Sequence, residues 1–125
     1  MKNPKKTVMV VEDDRDISEV LKILLEENNF KVETVFDGHD VEKISVSKKP
    51  DLILLDLWMQ GMNGIEIAAR LRKNSKTEKI PIVLVSASSD VQKKATEAGV
   101  NDFLAKPFEI EELLEKVNKY ILKKA

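Results

Sequence analysis

Short apolar runs alternate with stretches of helical periodicity along the whole chain, and this alternation limits the possible folds more than any other feature. The apolar runs lie near residues 7–11, 31–35, 51–55, 81–86 and 102–105, and most are rich in β-branched residues, as buried strands are. Between them, apolar residues recur at the spacing of amphipathic helices. The pattern predicts a (βα)5 fold, in which a parallel sheet carries helices on both faces.

Length and composition fit one domain. The chain has 125 residues, of which 42% are hydrophobic, and its formal net charge is -1. We predict a lead over residues 1–6, a domain over 7–122 and a tail over 123–125. The balanced charge favours neither nucleic acid nor an anionic membrane as a direct partner. No apolar run approaches the length of a membrane span, which is about 20 residues. The sequence also has no signal-peptide pattern and no cysteine, so we expect a cytoplasmic protein.

Polar side chains with complementary chemistry follow four of the predicted strands. Glu12 and Asp13 follow the first strand, Asp56 the third, Ser86 the fourth and Lys106 the fifth. The carboxyl ends of parallel strands meet at one edge of the sheet, where open α/β sheets bind their ligands. We therefore expect acids, a hydroxyl and an amine to share one site.

The strand order follows from the requirement that these groups meet. In the flavodoxin-like, doubly wound order 2-1-3-4-5, Asp56 stands centrally between Asp13 and Ser86. The alternative order 3-2-1-4-5 would separate Asp56 from Ser86 by three strand spacings, about 14 Å. Strand two ends in Phe36-Asp37-Gly38 and contributes no obvious partner group, which suits an edge position. The chemistry favours the order 2-1-3-4-5.

The acidic cluster predicts a hard metal ion. Two carboxylates about 5 Å apart at an effective dielectric near 20 repel by roughly 3 kcal/mol, so a cation has to compensate them. The candidates are Glu12, Asp13 and Asp56, and all-oxygen ligation favours Mg²⁺, with Mn²⁺ as a substitute. Asp14 or Asp16 is instead expected to cap the following helix. His39 lies between a Gly and an Asp, which predicts a solvated residue at a helix start and not a catalytic one.

The motifs resemble the receiver domain of two-component response regulators, the chemotaxis-regulator-like family, over residues 7–122. The resemblance rests on segments in the expected order and spacing. These are Val10-Val11-Glu12-Asp13-Asp14, Asp51-Leu52-Ile53-Leu54-Leu55-Asp56-Leu57 with Gly61 and Gly64 downstream, Ser86-Ala87, and Asp102-Phe103-Leu104-Ala105-Lys106-Pro107-Phe108.

The resemblance implies a phosphorelay role for the site. Asp56 would accept a phosphoryl group from a phosphohistidine on a sensor histidine kinase or a histidine phosphotransfer protein. Asp13, Asp56 and the backbone carbonyl of Trp58 would bind Mg²⁺, with Glu12 helping through water. Ser86 and Lys106 would contact the phosphoryl oxygens. The protein would then be a signalling phosphoprotein that catalyses only its own phosphorylation and dephosphorylation.

The resemblance also implies a switch. Ser86 would sense the phosphoryl group and couple to Phe103, which lacks a hydroxyl and so would switch by packing alone. The affected surface would comprise the fourth helix, the fifth strand and the fifth helix, and would face an unidentified downstream protein or output domain. The Lys106-Pro107 peptide is expected to be cis. The chain departs from the family at Gln60, where Pro is usual, and this departure makes the loop geometry at Trp58 less fixed.

Three other functions compete with this interpretation. A haloacid-dehalogenase-type phosphatase also uses an aspartyl nucleophile but needs a second Asp two residues later, where this chain has Trp58. A flavin carrier needs a Ser-, Thr- and Gly-rich first loop, whereas Glu12-Asp13-Asp14 would repel phosphate. A docking module that is never phosphorylated remains the closest rival, although the complete acidic set, Ser86 and Lys106 argue against it.

Overall fold

The chain folds into a parallel sheet between two layers of helices. The computed structural model describes residues 5–59 and 62–123, so Gln60 and Gly61, most of the predicted lead and the end of the predicted tail lie outside the described residues. The strands are β1 (Thr7–Val11), β2 (Lys31–Val35), β3 (Leu52–Asp56), β4 (Ile82–Ser86) and β5 (Asp102–Ala105). The helices are α1 (Arg15–Glu27), α2 (Val41–Lys48), α3 (Gly64–Lys73), α4 (Gln92–Glu97) and α5 (Ile110–Lys123), with a 3₁₀ turn at Gly38–Asp40.

The strand order is β2-β1-β3-β4-β5 and all pairings are parallel, which confirms the predicted order and fold class. β3 and β4 are buried along their whole length because helices cover both faces of the sheet. Asp56 and Ser86 are the last residues of their strands, not the first residues beyond them. The backbone of both residues is therefore fixed by the sheet.

Successive strand residues pack alternately into two separate hydrophobic layers, one on each face of the sheet. Leu54 packs on the side of α1 and α5, whereas its neighbour Leu55 packs on the side of α2, α3 and α4. Both leucines are almost completely buried. Within residues 5–59 and 62–123, none of the helices combines the length and the apolar character that crossing a bilayer requires.

Local capping follows the sequence prediction at α1. The Asp14 carboxylate accepts hydrogen bonds from the backbone N–H groups of Asp16 (2.9 Å) and Ile17 (3.1 Å), so Asp14, and not Asp16, is the N-cap.

His39 lies exposed in the 3₁₀ turn, where its backbone N–H donates to Asp37. The prediction that His39 is a solvated residue at a helix start is therefore confirmed.

A polar cluster around Asp102 attaches α5 to β5. Its carboxylate accepts hydrogen bonds from the ammonium of Lys116 (2.9 Å), the hydroxyl of Tyr120 (2.9 Å) and the backbone N–H of Phe103 (2.8 Å). Burial alone would raise the pKa of Asp102. The hydrogen bonds and the charge of Lys116 outweigh that penalty and lower the pKa to about 2.

Replacing Asp102 with Asn is expected to lower the free energy of unfolding by about 1–2 kcal/mol near neutral pH. The folded pKa of about 2 lies below the unfolded value, so this stabilisation is complete above the unfolded pKa and is lost as pH falls toward 2. Urea unfolding of wild type and variant at about pH 7 and about pH 3 measures the effect. The gap between the two proteins should narrow at the lower pH.

The exposed Glu115 on the same helix provides a control, since Glu115→Gln should change the unfolding free energy little at either pH. A gap between wild type and Asp102→Asn that stays constant with pH would contradict the assigned pKa.

Candidate functional site

The end of β1 presents two acids in different environments. Glu12 is 4% exposed, and its backbone N–H donates to the carbonyl of Val35 at 3.1 Å, which extends the sheet by one residue. Its carboxylate accepts the backbone N–H of Asp14 at 3.1 Å. Asp13 is exposed on the rim of the same edge. The β1–α1 connection therefore offers one buried and one accessible carboxylate.

Asp56 occupies the centre of this edge and is 8% exposed. The backbone around it is tightly packed against the start of α3, because the N–H of Gly64 donates to the carbonyl of Leu57 at 2.7 Å. A Cβ at position 64 would lie 2.8 Å from the carbonyl oxygen of Asp56. Glycine is needed at this close approach, which explains one of the two glycines downstream of Asp56 in the sequence.

Lys106 follows the edge strand β5, and its side chain extends toward the acids at the ends of β1 and β3. Its backbone N–H donates to the carbonyl of Ser86 at 3.0 Å, and the peptide to Pro107 is cis, as the resemblance implied. The ammonium lies 3.5 Å from Oε1 of Glu12 and 3.5 Å from Oδ1 of Asp56. One cation therefore bridges the acids at the ends of β1 and β3.

The three carboxylates among the predicted metal ligands lie together. Oxygen atoms of Glu12, Asp13 and Asp56 all lie within 4.8 Å of one another. Burial raises the pKa of Glu12, and the adjacent negative charge of Asp56 raises it further, while the Asp14 N–H and Lys106 act in the opposite direction. An all-oxygen cluster of this size suits a hard divalent cation.

Ser86 is near the acids, but its hydroxyl is engaged elsewhere. Its Oγ accepts the backbone N–H of Ser88 at 3.0 Å and donates to the carbonyl of Ser88 at 3.2 Å. This local pairing holds the β4–α4 connection in place. A cavity of about 110 Å³ lies beside it and is lined by Ser86, Gln92 and the half-buried Phe103 among others. The two predicted switch residues therefore border one cavity.

Trp58 projects from the loop after β3 and is 70% exposed. It is the only tryptophan in the sequence, two residues beyond Asp56. The departure at Gln60 lies outside the described residues.

Sequence reasoning missed an apolar groove beside the acids. Ile17 of α1 and Ile110 of α5 belong to the helical periodicities that predicted buried faces, yet they are 40% and 48% exposed. With Val20, Leu24 and Phe108 they line a groove of about 450 Å³. Ile17, Leu21 and Phe108 also border the small pocket that contains Glu12, Asp56 and Lys106. Apolar periodicity alone does not distinguish such a groove from core, so the sequence carried no separate signal for it.

The sequence matches a known protein family. The response regulator receiver domain family matches residues 8–118. The chain belongs to this family. Response regulator ArlR of Staphylococcus aureus (strain Mu50) is 36% identical to the receiver domain over 112 residues, which are 88% of this chain and 50% of that protein. The receiver domain spans about half the length of the curated relatives it matches.

Solved structures share the fold over nearly the whole receiver domain. The receiver domain of Francisella response regulator 1452 is 30% identical with a TM-score of 0.87, covering 98% of this chain and 100% of that one. The receiver domain of a Pseudomonas aeruginosa sensor histidine kinase is 25% identical with a TM-score of 0.86, covering 94% and 98%. That Pseudomonas protein has a magnesium ion coordinated in its active site cleft.

Proposed function

We propose that this receiver domain accepts a phosphoryl group on Asp56 from a phosphohistidine of a sensor histidine kinase or histidine phosphotransfer protein. The observation that carries the proposal is the convergence of three carboxylates and the Lys106 ammonium at one sheet edge. Phosphoryl transfer requires a positioned nucleophile and positive charge more than it requires an acid or a base. The edge offers both requirements to a donor that approaches from solvent.

The donor atoms fit Mg²⁺. Asp13 and Asp56 would hold the ion directly together with the backbone carbonyl of Trp58, and Glu12 would act through a water molecule; Mn²⁺ would substitute. When bound, the ion supplies positive charge to the phosphoryl oxygens. The magnesium of the related Pseudomonas receiver domain supports this choice of metal.

Asp56 acts as the nucleophile. One of its carboxylate oxygens forms the new bond to phosphorus, and the bond from phosphorus to the donor nitrogen breaks with its electron pair going to the imidazole. The Lys106 ammonium already lies 3.5 Å from Oδ1 of Asp56, so a short movement brings it to the transferred oxygens. The domain would catalyse only its own phosphorylation and dephosphorylation.

Ser86 and Phe103 would couple phosphorylation of Asp56 to a conformational change of the surface formed by α4, β5 and α5. A phosphoryl oxygen at Asp56 competes for the Ser86 hydroxyl, which would then leave its pairing with Ser88. The adjacent cavity of about 110 Å³ gives the Phe103 ring space to move as that loop shifts. The surface of α4, β5 and α5 would change in response and be read by a downstream protein or output domain.

The apolar groove between α1 and the start of α5 fits the protein donor. It shares Ile17, Leu21 and Phe108 with the small pocket that Asp56 lines, so a helix seated there would bring its phosphohistidine close to the acids. Apolar contact would supply the binding energy that an acidic edge cannot offer to a phosphorylated partner. The groove therefore supports a helical phosphodonor protein as the partner.

Incubation with acetyl phosphate and Mg²⁺ is expected to add one phosphoryl group, which intact mass spectrometry would detect. Treatment with hydroxylamine should remove it and mark Asp56, because hydroxylamine cleaves acyl phosphates and leaves a hydroxamate. Chelation of the metal before addition of the donor should prevent the modification. A phosphoryl group mapped to a hydroxyl residue, or uptake that continues in the chelator, would contradict the proposal.

A further inference from the structure

The carboxyl edge of the sheet carries many negative charges, which repel an anionic phosphodonor. Besides the three clustered carboxylates, further acids lie in the connections after β1 and β2 and in the first turn of α1. These are Asp14, Asp16, Asp37 and Asp40, all of them exposed. These negative charges raise the free energy of an approaching dianion. Beyond the Mg²⁺ of the proposed function and Lys106, a further cation at this edge would favour a donor that makes no protein contacts of its own.

Lys106 and the His39 imidazole, which lie near this edge, already have carboxylate partners. Lys106 contacts Glu12 and Asp56, and His39 contacts Asp37. Arg15 differs, because within the described part of the chain it makes no ion pair with a carboxylate although acids lie on both sides of it in the sequence. Its guanidinium instead lies 4.1 Å from the centroid of the Phe36 ring.

The topology places Arg15 opposite Lys106. Arg15 begins α1, two residues after Asp13, and Phe36 directly follows β2, whereas Lys106 follows β5. In the order β2-β1-β3-β4-β5, the acids at the ends of β1 and β3 therefore have one cation on the β5 side and the other on the β2 side. A small phosphate that approaches the carboxylates would therefore have Lys106 on one flank and Arg15, beside the end of β2 two strands from Asp56, on the other.

Phe36 gives the guanidinium a defined position. The ring is half-buried and follows the buried Val35, so the end of β2 holds it. Stacking on an aromatic face restrains an exposed arginine and leaves its N–H groups free at the edges. Those N–H groups form the planar fork that binds phosphate oxygens in pairs. Arg15 is thus restrained and still able to bind an anion.

We propose that Arg15 is a specificity-determining residue that recruits small dianionic acyl phosphates to Asp56, with Phe36 as its positioning residue. This inference rests on the proposed phosphoacceptor function. A protein donor obtains binding energy from the groove beside α1, whereas a small donor has only its charge to offer. In the transfer, the Asp56 oxygen forms its bond to phosphorus, the bond from phosphorus to the acyl oxygen breaks, and the carboxylate leaves with that electron pair. Arg15 gains and loses no proton.

The test compares phosphorylation rates of the whole chain with acetyl phosphate, which is largely dianionic near neutral pH, and with phosphoramidate, which carries one negative charge fewer. Arg15→Gln should slow uptake from acetyl phosphate about fivefold at low ionic strength, with the difference shrinking as salt screens it. Uptake from phosphoramidate should fall less. Phe36→Leu should give a smaller loss of the same kind, and Arg15→Lys, which keeps the charge but not the planar fork, should give a rate between those of wild type and Arg15→Gln.

Lys31→Gln provides the matched control. Lys31 is exposed at the opposite end of β2, and its replacement changes net charge by the same amount. Equal slowing by Lys31→Gln, or an unchanged rate in Arg15→Gln, would overturn the role of Arg15. If wild type took up no phosphoryl group from either donor, the proposed function would fail together with this inference. If wild type were modified at Asp56 and Arg15→Gln were not slowed, only the recruiting role would fail.

Discussion

The Asp56→Asn variant is expected to take up no phosphoryl group and to lose completely the response of Trp58 fluorescence to beryllofluoride with Mg²⁺. A side-chain amide is a far weaker nucleophile than a carboxylate, so it does not form the acyl phosphate. It also offers beryllium no carboxylate oxygen. Trp58 is a suitable reporter because it is the only tryptophan and is 70% exposed two residues from the modified side chain.

Asp40→Asn is the matched control for this experiment. Asp40 is exposed at the end of the 3₁₀ turn, on the same edge of the sheet, and its replacement removes the same charge. This variant should keep both phosphoryl uptake and the fluorescence response. A full response in Asp56→Asn would leave the domain as a docking module, and loss of the response in both variants would show a general dependence on the charge of the edge.

The strand order was predictable because chemistry and topology constrain each other. Only one of the two common orders brings Asp13, Asp56 and Ser86 to neighbouring strands, and the structure has that order. The helix-capping role of Asp14 was predictable for a local reason, since it needs only the two following N–H groups. Features fixed by neighbouring strands or by adjacent residues were therefore accessible from the sequence.

Side-chain directions were not accessible in the same way. The sequence predicted that Ser86 shares the site of the acids, but it did not indicate that the Ser86 hydroxyl pairs with the backbone of Ser88 two residues away. Ile17 and Ile110 followed the helical period of core residues, yet both lie exposed beside the site. Whether an apolar residue in the first turn of a helix is covered depends on what the neighbouring connection provides, and periodicity contains no information on that point.

The Lys106 ammonium contacts two of the three clustered carboxylates. Lys106 lies at 3.5 Å from both Glu12 and Asp56 and reduces the repulsion between them. The same ammonium repels a divalent cation that approaches these carboxylates. In the proposed function Lys106 would therefore have two opposing effects, since it would favour the transferred phosphoryl group and disfavour the ion. These effects can be separated by removing the charge while keeping the alkyl stem.

Lys106→Met is expected to slow phosphorylation about a hundredfold, comparable to the loss of one charge-stabilising donor in other group transfers. Mg²⁺ binding to the unphosphorylated domain should become tighter by about fivefold, because the competing cation is gone. Stopped-flow uptake from acetyl phosphate and a Mg²⁺ titration followed by Trp58 fluorescence measure the two quantities. Lys119→Met, an exposed lysine on α5, should change neither.

The direction of the change in Mg²⁺ affinity is the decisive result. If Lys106 competes with the ion, its removal frees Glu12 and Asp56 and lowers the Mg²⁺ dissociation constant while phosphorylation slows. If Lys106 mainly holds the two carboxylates in position, its removal lets them separate, and Mg²⁺ binding weakens as phosphorylation slows. The equal 3.5 Å distances from the ammonium to both acids favour competition, because they place the lysine charge beside two of the proposed metal ligands. A weaker Mg²⁺ affinity in Lys106→Met would reject it.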